Sequence, residues 1–289
     1  MYPRRFRLHR PAGVDEALAL LAGHGESATP YAGGTELLVV MKERLVAYDH
    51  VVDLKGIAAM QGVAATAGGG VSIGALCSHH QLAADRVVRE RMPGYAELSA
   101  NIANIRVRVA GTLGGNLCFA EPHADPPAML CALGAEVVLA GSQEVRRVPM
   151  ADFFVGELQT VRADDELMTR IEVPALPAGT RAAYRAFGHL SRPAVGVAAC
   201  ATPEGKGYAW RLYAGSLCGR PTPLDAVADA MRGLPGDDAL AALDAGVEAA
   251  AHEVEAHDDL RGSADYKRHL LGVLARRAMR AALGREERT

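Results

Sequence analysis

Cysteine is scarce in this chain. Five residues, Cys77, Cys118, Cys131, Cys200 and Cys218, are spread over 289 positions, and no two are close in sequence. The number is odd, and there is no C-x-x-C pair and no ferredoxin-like run. This argues against a zinc or iron–sulfur site built by the chain alone and for reduced thiols buried as small apolar groups. Charge of one sign is also lacking. The formal net charge is −3 with 22% charged residues, so no basic stripe points to nucleic acid and no charged block to a disordered tail. No apolar run reaches the length of a membrane span. The opening MYPRRFRLHRPAGVDEALALL is basic at first but lacks the apolar core and small-residue cleavage site of a signal peptide. The expectation is a soluble cytoplasmic protein. Only the closing GREERT reads as a frayed end. No short-period repeat is present.

Apolar residues make up 49% of the chain, enough for two or three small domains. Over residues 1–55, VDEALALLA reads as a helix and ATPYA as a short strand. TELLVVMKERL follows with helical spacing that puts Leu37, Leu38, Met41 and Leu45 on one side, Thr35 its N-cap. HVVDL is a buried-type strand. Residues 56–175 are mixed. GVAATAGGGVSIGAL is a hairpin turning at AGGG, and the helices after it break at Pro93. ADPPAMLCALG is a short helix with prolines in its first turn, and AEVVLAG, EVRRVPM and ELMTRIEVP are strands. Residues 176–289 give three antiparallel strands in RAAYRAFG, AVGVAACAT and YAWRLYAG, then helices. The last helix is the clearest, with Ser263 as cap and Leu270, Leu271, Leu274 and Met279 on its apolar side.

Two stretches carry paired glycines beside small polar residues, PYAGGTEL (30–37) and TLGGNLCFAEPHADPP (112–127). A strand, a glycine turn and a helix start bring several backbone N–H groups to one point, which attracts phosphate. AGGTEL is neither G-x-G-x-x-G nor a P-loop. GTLGGN adds further N–H groups, the Thr112 hydroxyl and the Asn116 amide. Two such loops suit a diphosphate, and Asp125 is placed to accept hydrogen bonds from sugar hydroxyls. The plain alternative is that each Gly-Gly is a turn, as AGGG at 67–70 is, in a chain with 31 glycines. The residues alone therefore reach a paired anion cradle without naming its ligand.

Other residues read as follows. His79-His80 suggests metal binding or covalent attachment of a cofactor, but a histidine pair opening a surface helix is the favoured reading. His123 lies inside the second loop, near the ligand or simply in solvent. Arg106 and Arg108 alternate on an extended run, facing phosphates, a partner or water. Trp210 and Tyr213 are packing residues on a strand. The basic helix KRHLLGVLARRAMR is amphipathic rather than a nucleic-acid reader.

Four stretches in order, YAGGTELLVVMK, IANIRVRVAGTLGGNLCFAEPHAD, VGVAACA and SADYKRHLLGVLARRA, resemble the FAD-binding subunit of the molybdenum hydroxylases, the xanthine dehydrogenase and carbon monoxide dehydrogenase group. The resemblance covers nearly the whole chain. It implies an α+β fold: a PCMH-type FAD-binding domain in two segments, 1–55 and 56–175, then a C-terminal α+β domain, 176–289, of antiparallel sheet and helices. It implies that Tyr31, Ala32, Gly33, Gly34, Thr35, Glu36 and Leu37 wrap the FAD diphosphate. Gly111, Thr112, Gly114, Gly115 and Asn116 then complete the cradle. Ile102 is an apolar flavin contact, Asp125 binds hydroxyls of the FAD chain, and Leu167 and Met168 line the site.

The resemblance also implies electron transfer without a catalytic side chain or a metal ligand on this chain. The molybdenum cofactor sits on a large partner subunit and 2Fe–2S clusters on a small one, as a dimer of heterotrimers. Electrons leave through FAD to NAD, a quinone, oxygen or another acceptor. The chain departs from the group in three places. Gly188 and His189 stand where several relatives have a basic residue, leaving Arg192 as a substitute. Thr35-Glu36 replaces the His-Ser frequent in carbon monoxide dehydrogenases, and leans away from that activity. The Cys-rich insertion of the hydroxybenzoyl-CoA reductases is missing. Two alternatives are a stand-alone FAD oxidase, for which Thr35 and Glu36 offer no covalent linkage, and a scaffold that has lost FAD, against which the intact glycines and Asp125 argue.

Overall fold

The computed structural model describes residues 2–188 and 192–285. His189 and residues 286–289 of the expected frayed tail lie outside them. The chain begins with β1 (Arg7–His9), α1 (Val14–His24), β2 (Ala28–Tyr31), α2 (Leu37–Lys42) and β3 (His50–Asp53). The three strands form a parallel sheet in the order β1-β3-β2. Parallel neighbours need crossovers, which α1 and α2 provide. α1 buries Ala17, Leu18 and Leu21, one stripe at helical spacing. α2 is shorter than its pattern suggests. Its N-cap is Glu36 and not Thr35, no side chain caps it, and only Met41 is buried. The turn at Arg44, with φ +60, ends the helical path, and Leu45 is left 75% exposed.

Next come β4 (Val63–Ala65) and β5 (Val71–Gly74), the hairpin expected around AGGG, with Gly69 at φ +87. α3 (His79–Ala84) opens with a capping box in which Ser78 and Gln81 satisfy each other's backbone N–H groups. Asp85 caps α4 (Arg86–Arg91), and Pro93 is the first residue of α5 (Pro93–Asn101). Residues 105–110 are helical, α6 (Ile105–Ala110), and not extended as their alternating arginines suggested. The Asn104 side chain accepts from the N–H groups of Arg106 and Val107 and starts the turn.

The second glycine pair lies inside a helix too, α7 (Leu113–Phe119), capped by Thr112. α8 (Pro126–Ala132) is buried at every position. β6 (Glu136–Ala140), β7 (Val145–Pro149), α9 (Met150–Phe153), a small hairpin of β8 (Phe154–Gly156) and β9 (Gln159–Thr160), and β10 (Leu167–Val173) complete this part. Its five-stranded antiparallel sheet runs β4-β5-β10-β6-β7, with β10 in the middle.

The remaining strands, β11 (Arg181–Phe187), β12 (Val195–Glu204), β13 (Gly207–Gly215) and β14 (Thr222–Pro223), form an antiparallel sheet in chain order. α10 (Asp225–Ala230), α11 (Gly236–Glu253) and α12 (Ala264–Ala282) follow, and the Ser263 hydroxyl caps α12 by accepting from the Tyr266 N–H. β12 shows why its sequence is small and apolar throughout. Ala198 and Cys200 face the core shared with α8, while Val195, Val197, Ala199 and Ala201 face the core under α12. Helices can press on both faces because the side chains are short. Trp210 packs into the second core and Tyr213 against the first, as expected of packing residues. All five cysteines are free thiols. Among the described residues, no helix is long and apolar enough to cross a membrane.

Candidate functional site

The two glycine stretches meet. A cleft of about 700 Å³ opens between the parallel-sheet segment and the second segment, with the C-terminal domain contributing to its rim. That volume is within the usual range for cofactor sites. Of the residues singled out from the sequence, Ala32, Gly33, Gly34, Thr35, Glu36, Leu37, Ile102, Thr112, Gly114, Gly115, Asn116, Asp125, Leu167 and Met168 line it. Tyr31 and Gly111 do not. The Tyr31 ring lies under the Lys55 ammonium, 3.7 Å from nitrogen to ring centre. Gly111 is buried, its carbonyl accepting the His79 N–H at 3.1 Å.

The glycines serve two different ends. A Cβ on Gly33 would run into the Ala110 carbonyl, and one on Gly114 would stand 2.6 Å from the Ala75 methyl. These two let segments close on each other. Gly34 takes φ +71, where the chain turns from β2 toward α2. Gly115 is exposed to the cleft; a Cβ there meets only the Thr112 hydroxyl oxygen at 2.8 Å and the Ala32 methyl at 3.9 Å. This is the position where backbone presents itself bare to an occupant.

Donors are distributed unevenly. Among the described residues, the backbone N–H groups of Gly33, Gly34, Thr35 and Glu36 find no acceptor within the chain. In the second stretch the N–H groups are already engaged: Leu113 to the Cys77 carbonyl, Gly114 to the Ala75 carbonyl, and Gly115 to the Thr112 hydroxyl oxygen. The expectation of backbone donors from GTLGGN is therefore corrected. The helix start spends them on capping and packing, and side chains remain. The Thr112 hydroxyl keeps its proton to donate, and the Asn116 side-chain oxygen is buried with no partner.

Ionisable groups in the cleft are shifted by burial. The Asp125 carboxyl is pushed up to about 6. The Tyr184 hydroxyl stands close enough to draw it partly back, yet outside hydrogen-bond geometry. His79 opens α3 as expected, but it is buried rather than at the surface, and burial lowers its pKa to about 4. Burial also raises Glu121, against the pull of Arg192.

Of the rim, sequence reading named Arg192 and His123 but not their partners, and it missed Arg261. Arg192 reaches across the cleft to pair with Glu36 at 2.7 Å and Glu121 at 3.1 Å. Arg261 donates to the Arg192 carbonyl at 3.0 Å. His123 lines the cleft with its back to the C-terminal domain: Nδ1 is 2.9 Å from the Pro193 carbonyl and Nε2 3.0 Å from the Asp259 carboxylate. Both partners are acceptors, so satisfying both requires an N–H on each ring nitrogen. Asp259 also takes the buried Lys267 ammonium at 2.5 Å. Burial alone would raise the Asp259 carboxyl; the bonds from Lys267 and the Arg261 N–H outweigh it and hold it below the usual range. Arg108 is not among the residues lining the cleft, and it donates to the Ile102 and Ala103 carbonyls at 2.9 and 3.0 Å. That signal was beyond sequence reading, because these partners are brought together only by the fold.

Comparison with known proteins bears on the same cleft. Residues 4–176 match the family described as the FAD binding domain in molybdopterin dehydrogenase, and residues 181–282 match the CO dehydrogenase flavoprotein C-terminal domain. The carbon monoxide dehydrogenase medium chain of Hydrogenophaga pseudoflava is 34% identical over 99% of both chains. That of Afipia carboxidovorans is 33% identical over the same shares. The solved carbon monoxide dehydrogenase from Hydrogenophaga pseudoflava that lacks the Mo-pyranopterin moiety superposes with a TM-score of 0.92, over 99% of this chain and 100% of the other, at 34% identity. The chain therefore belongs to the FAD-binding medium subunits of the molybdenum hydroxylases, oxidoreductases that work as multisubunit complexes.

Proposed function

We propose that the chain passes electrons from iron–sulfur clusters on a small partner subunit, through FAD held in this cleft, to an external acceptor. Substrate is oxidised at a molybdenum cofactor on a large partner subunit. The observation that carries the site assignment is the run of unpartnered N–H groups at Gly33–Glu36, which line the same cleft as the open backbone of Gly115. Bound FAD supplies the exchange between one-electron and two-electron carriers.

The protein's part is binding and positioning. The N–H groups of Gly33, Gly34, Thr35 and Glu36 hold the diphosphate by charge-assisted hydrogen bonds. Thr112 donates its hydroxyl proton to it, and the unsatisfied Asn116 side-chain oxygen accepts from a hydroxyl or N–H of the same ligand. The Asp125 carboxylate accepts from sugar-chain hydroxyls. Ile102, Leu167 and Met168, all buried, form an apolar wall that excludes water from the ring system. Tyr31 and Gly111 act behind this surface, Tyr31 by supporting the turn at Gly34 and Gly111 by anchoring His79. Arg192 takes the place of the basic residue that relatives carry before β12. No side-chain nucleophile or general base is required.

The division at 1–55, 56–175 and 176–289 belongs to the same proposal, as does assembly as a dimer of heterotrimers. Free thiols throughout support a reducing compartment, the cytoplasm. Purification from the native source tests the assignment. A large and a small subunit should co-elute with the chain, and substrate should bleach its flavin absorbance. A monodisperse single chain with full dehydrogenase activity would refute it.

A further inference from the structure

At the far end of the first sheet, three histidines from three elements converge. His9 ends β1, His24 ends α1 and His50 begins β3. One ligating nitrogen from each lies within 4.8 Å of the other two. His9 Nε2 and His50 Nδ1 are 2.9 Å apart, and the rings of His24 and His50 stack with centres 3.6 Å apart. All three are partly exposed. The cluster is remote from the glycine turn: His50 pairs with Ala28 at the start of β2, whereas the turn follows Tyr31 at its end.

The arrangement favours neutral imidazoles. In the His9–His50 hydrogen bond one nitrogen donates and the other accepts, so at least one lone pair is bare. Neutral imidazole is the form that ligates metal.

We propose that His9, His24 and His50 form a site for a borderline divalent cation of the Zn2+, Ni2+ or Cu2+ class. A tetrahedral ion with Zn–N bonds of about 2.0–2.1 Å needs its nitrogens about 3.3 Å apart. The His9–His50 pair is already near that spacing; the donating ring shifts its proton to its other nitrogen, so that both facing lone pairs are free for the ion. His24 turns out of its stack on His50 about its side-chain bonds to bring the third nitrogen to the ion. Water fills the fourth position. The triad offers imidazole nitrogens and no carboxylate, which disfavours the hard cations Ca2+ and Mg2+, which require oxygen ligands. Such an ion would clip β1, a three-residue edge strand, to α1 and β3.

Titration of the FAD-loaded full chain with Zn2+ by calorimetry, and with Co2+ by visible absorption, tests this. The expected result is one ion per chain, the intense absorption of tetrahedral Co2+, and a metal-dependent rise in Tm. His24→Gln and His50→Gln should each weaken Zn2+ binding by at least about tenfold. The triple variant His9→Gln/His24→Gln/His50→Gln should lose the site and the Tm rise while retaining its flavin, since none of the three lies in the cleft. Zn2+ binding that persists unchanged in the triple variant, or no binding by the parent chain, would overturn the proposal.

Discussion

Asp125→Asn should make the flavin-free protein more stable near neutral pH and a poorer binder of FAD. Burial moves the Asp125 carboxyl from 3.8 to about 6. The folded state therefore holds the proton more tightly than the unfolded state. Stability from this group is full below 3.8, falls as pH rises toward about 6, and stays lost above that. At about 1.36 kcal/mol per pH unit, ionising Asp125 in the fold costs up to about 3 kcal/mol. Asparagine keeps the shape without the charge and removes that cost. It also exchanges a charge-assisted acceptor for a neutral one, a loss of about 1 kcal/mol to a hydroxyl donor, or about fivefold in affinity. Urea unfolding of flavin-free parent and variant, at about pH 4 and about pH 7.5, separates the two states of the carboxyl. The variant should be the more stable at the higher pH, with the difference closing at the lower. A variant no more stable than the parent near neutrality, or an advantage equal at both pH values, would refute the reasoning.

Gly33→Ala drives a methyl into the Ala110 carbonyl and should cost about 1–3 kcal/mol in urea unfolding, with weaker FAD binding as the two segments part. Lys267→Met removes a nearly fully buried cation and leaves the partly exposed Asp259 beside His123 without it; a loss of about 1.5–3 kcal/mol in thermal or urea unfolding is expected. Arg192→Ala should leave folding little changed but raise the dissociation rate of FAD in stopped-flow fluorescence, because its pairs with Glu36 and Glu121 bridge the cleft.

The elements that could be read from sequence were those whose signals are local. Ser263 and the apolar side of α12, Pro93 at the start of α5, and the AGGG hairpin all state their structure within a few residues. Errors arose where tertiary contacts decide. The spacing of Leu37 to Leu45 is helical, but α2 stops at Lys42 and Leu45 faces solvent. Arg106 and Arg108 alternate as a strand would, yet the Asn104 cap turns that run into a helix. Gly114 and Gly115 read as a loop, but lie in a helix whose first turn spends its donors on Cys77, Ala75 and Thr112. His79 is buried because Gly111 folds over it, and Arg192 and Arg261 reach the rim from the C-terminal domain. Apart from the Asn104 and Thr112 caps, these contacts join residues distant in sequence.

The central claim is that FAD occupies the cleft between the two glycine stretches. Gly115→Val tests it most directly, because Gly115 presents open backbone to the cleft and its nearest neighbour, the Thr112 hydroxyl, can give way at a cost of about 1 kcal/mol in capping. FAD is titrated into flavin-free parent and variant, with circular dichroism confirming that both are folded. The account predicts one FAD per parent chain and no retained flavin in the variant. Equal occupancy and affinity in the two would contradict it.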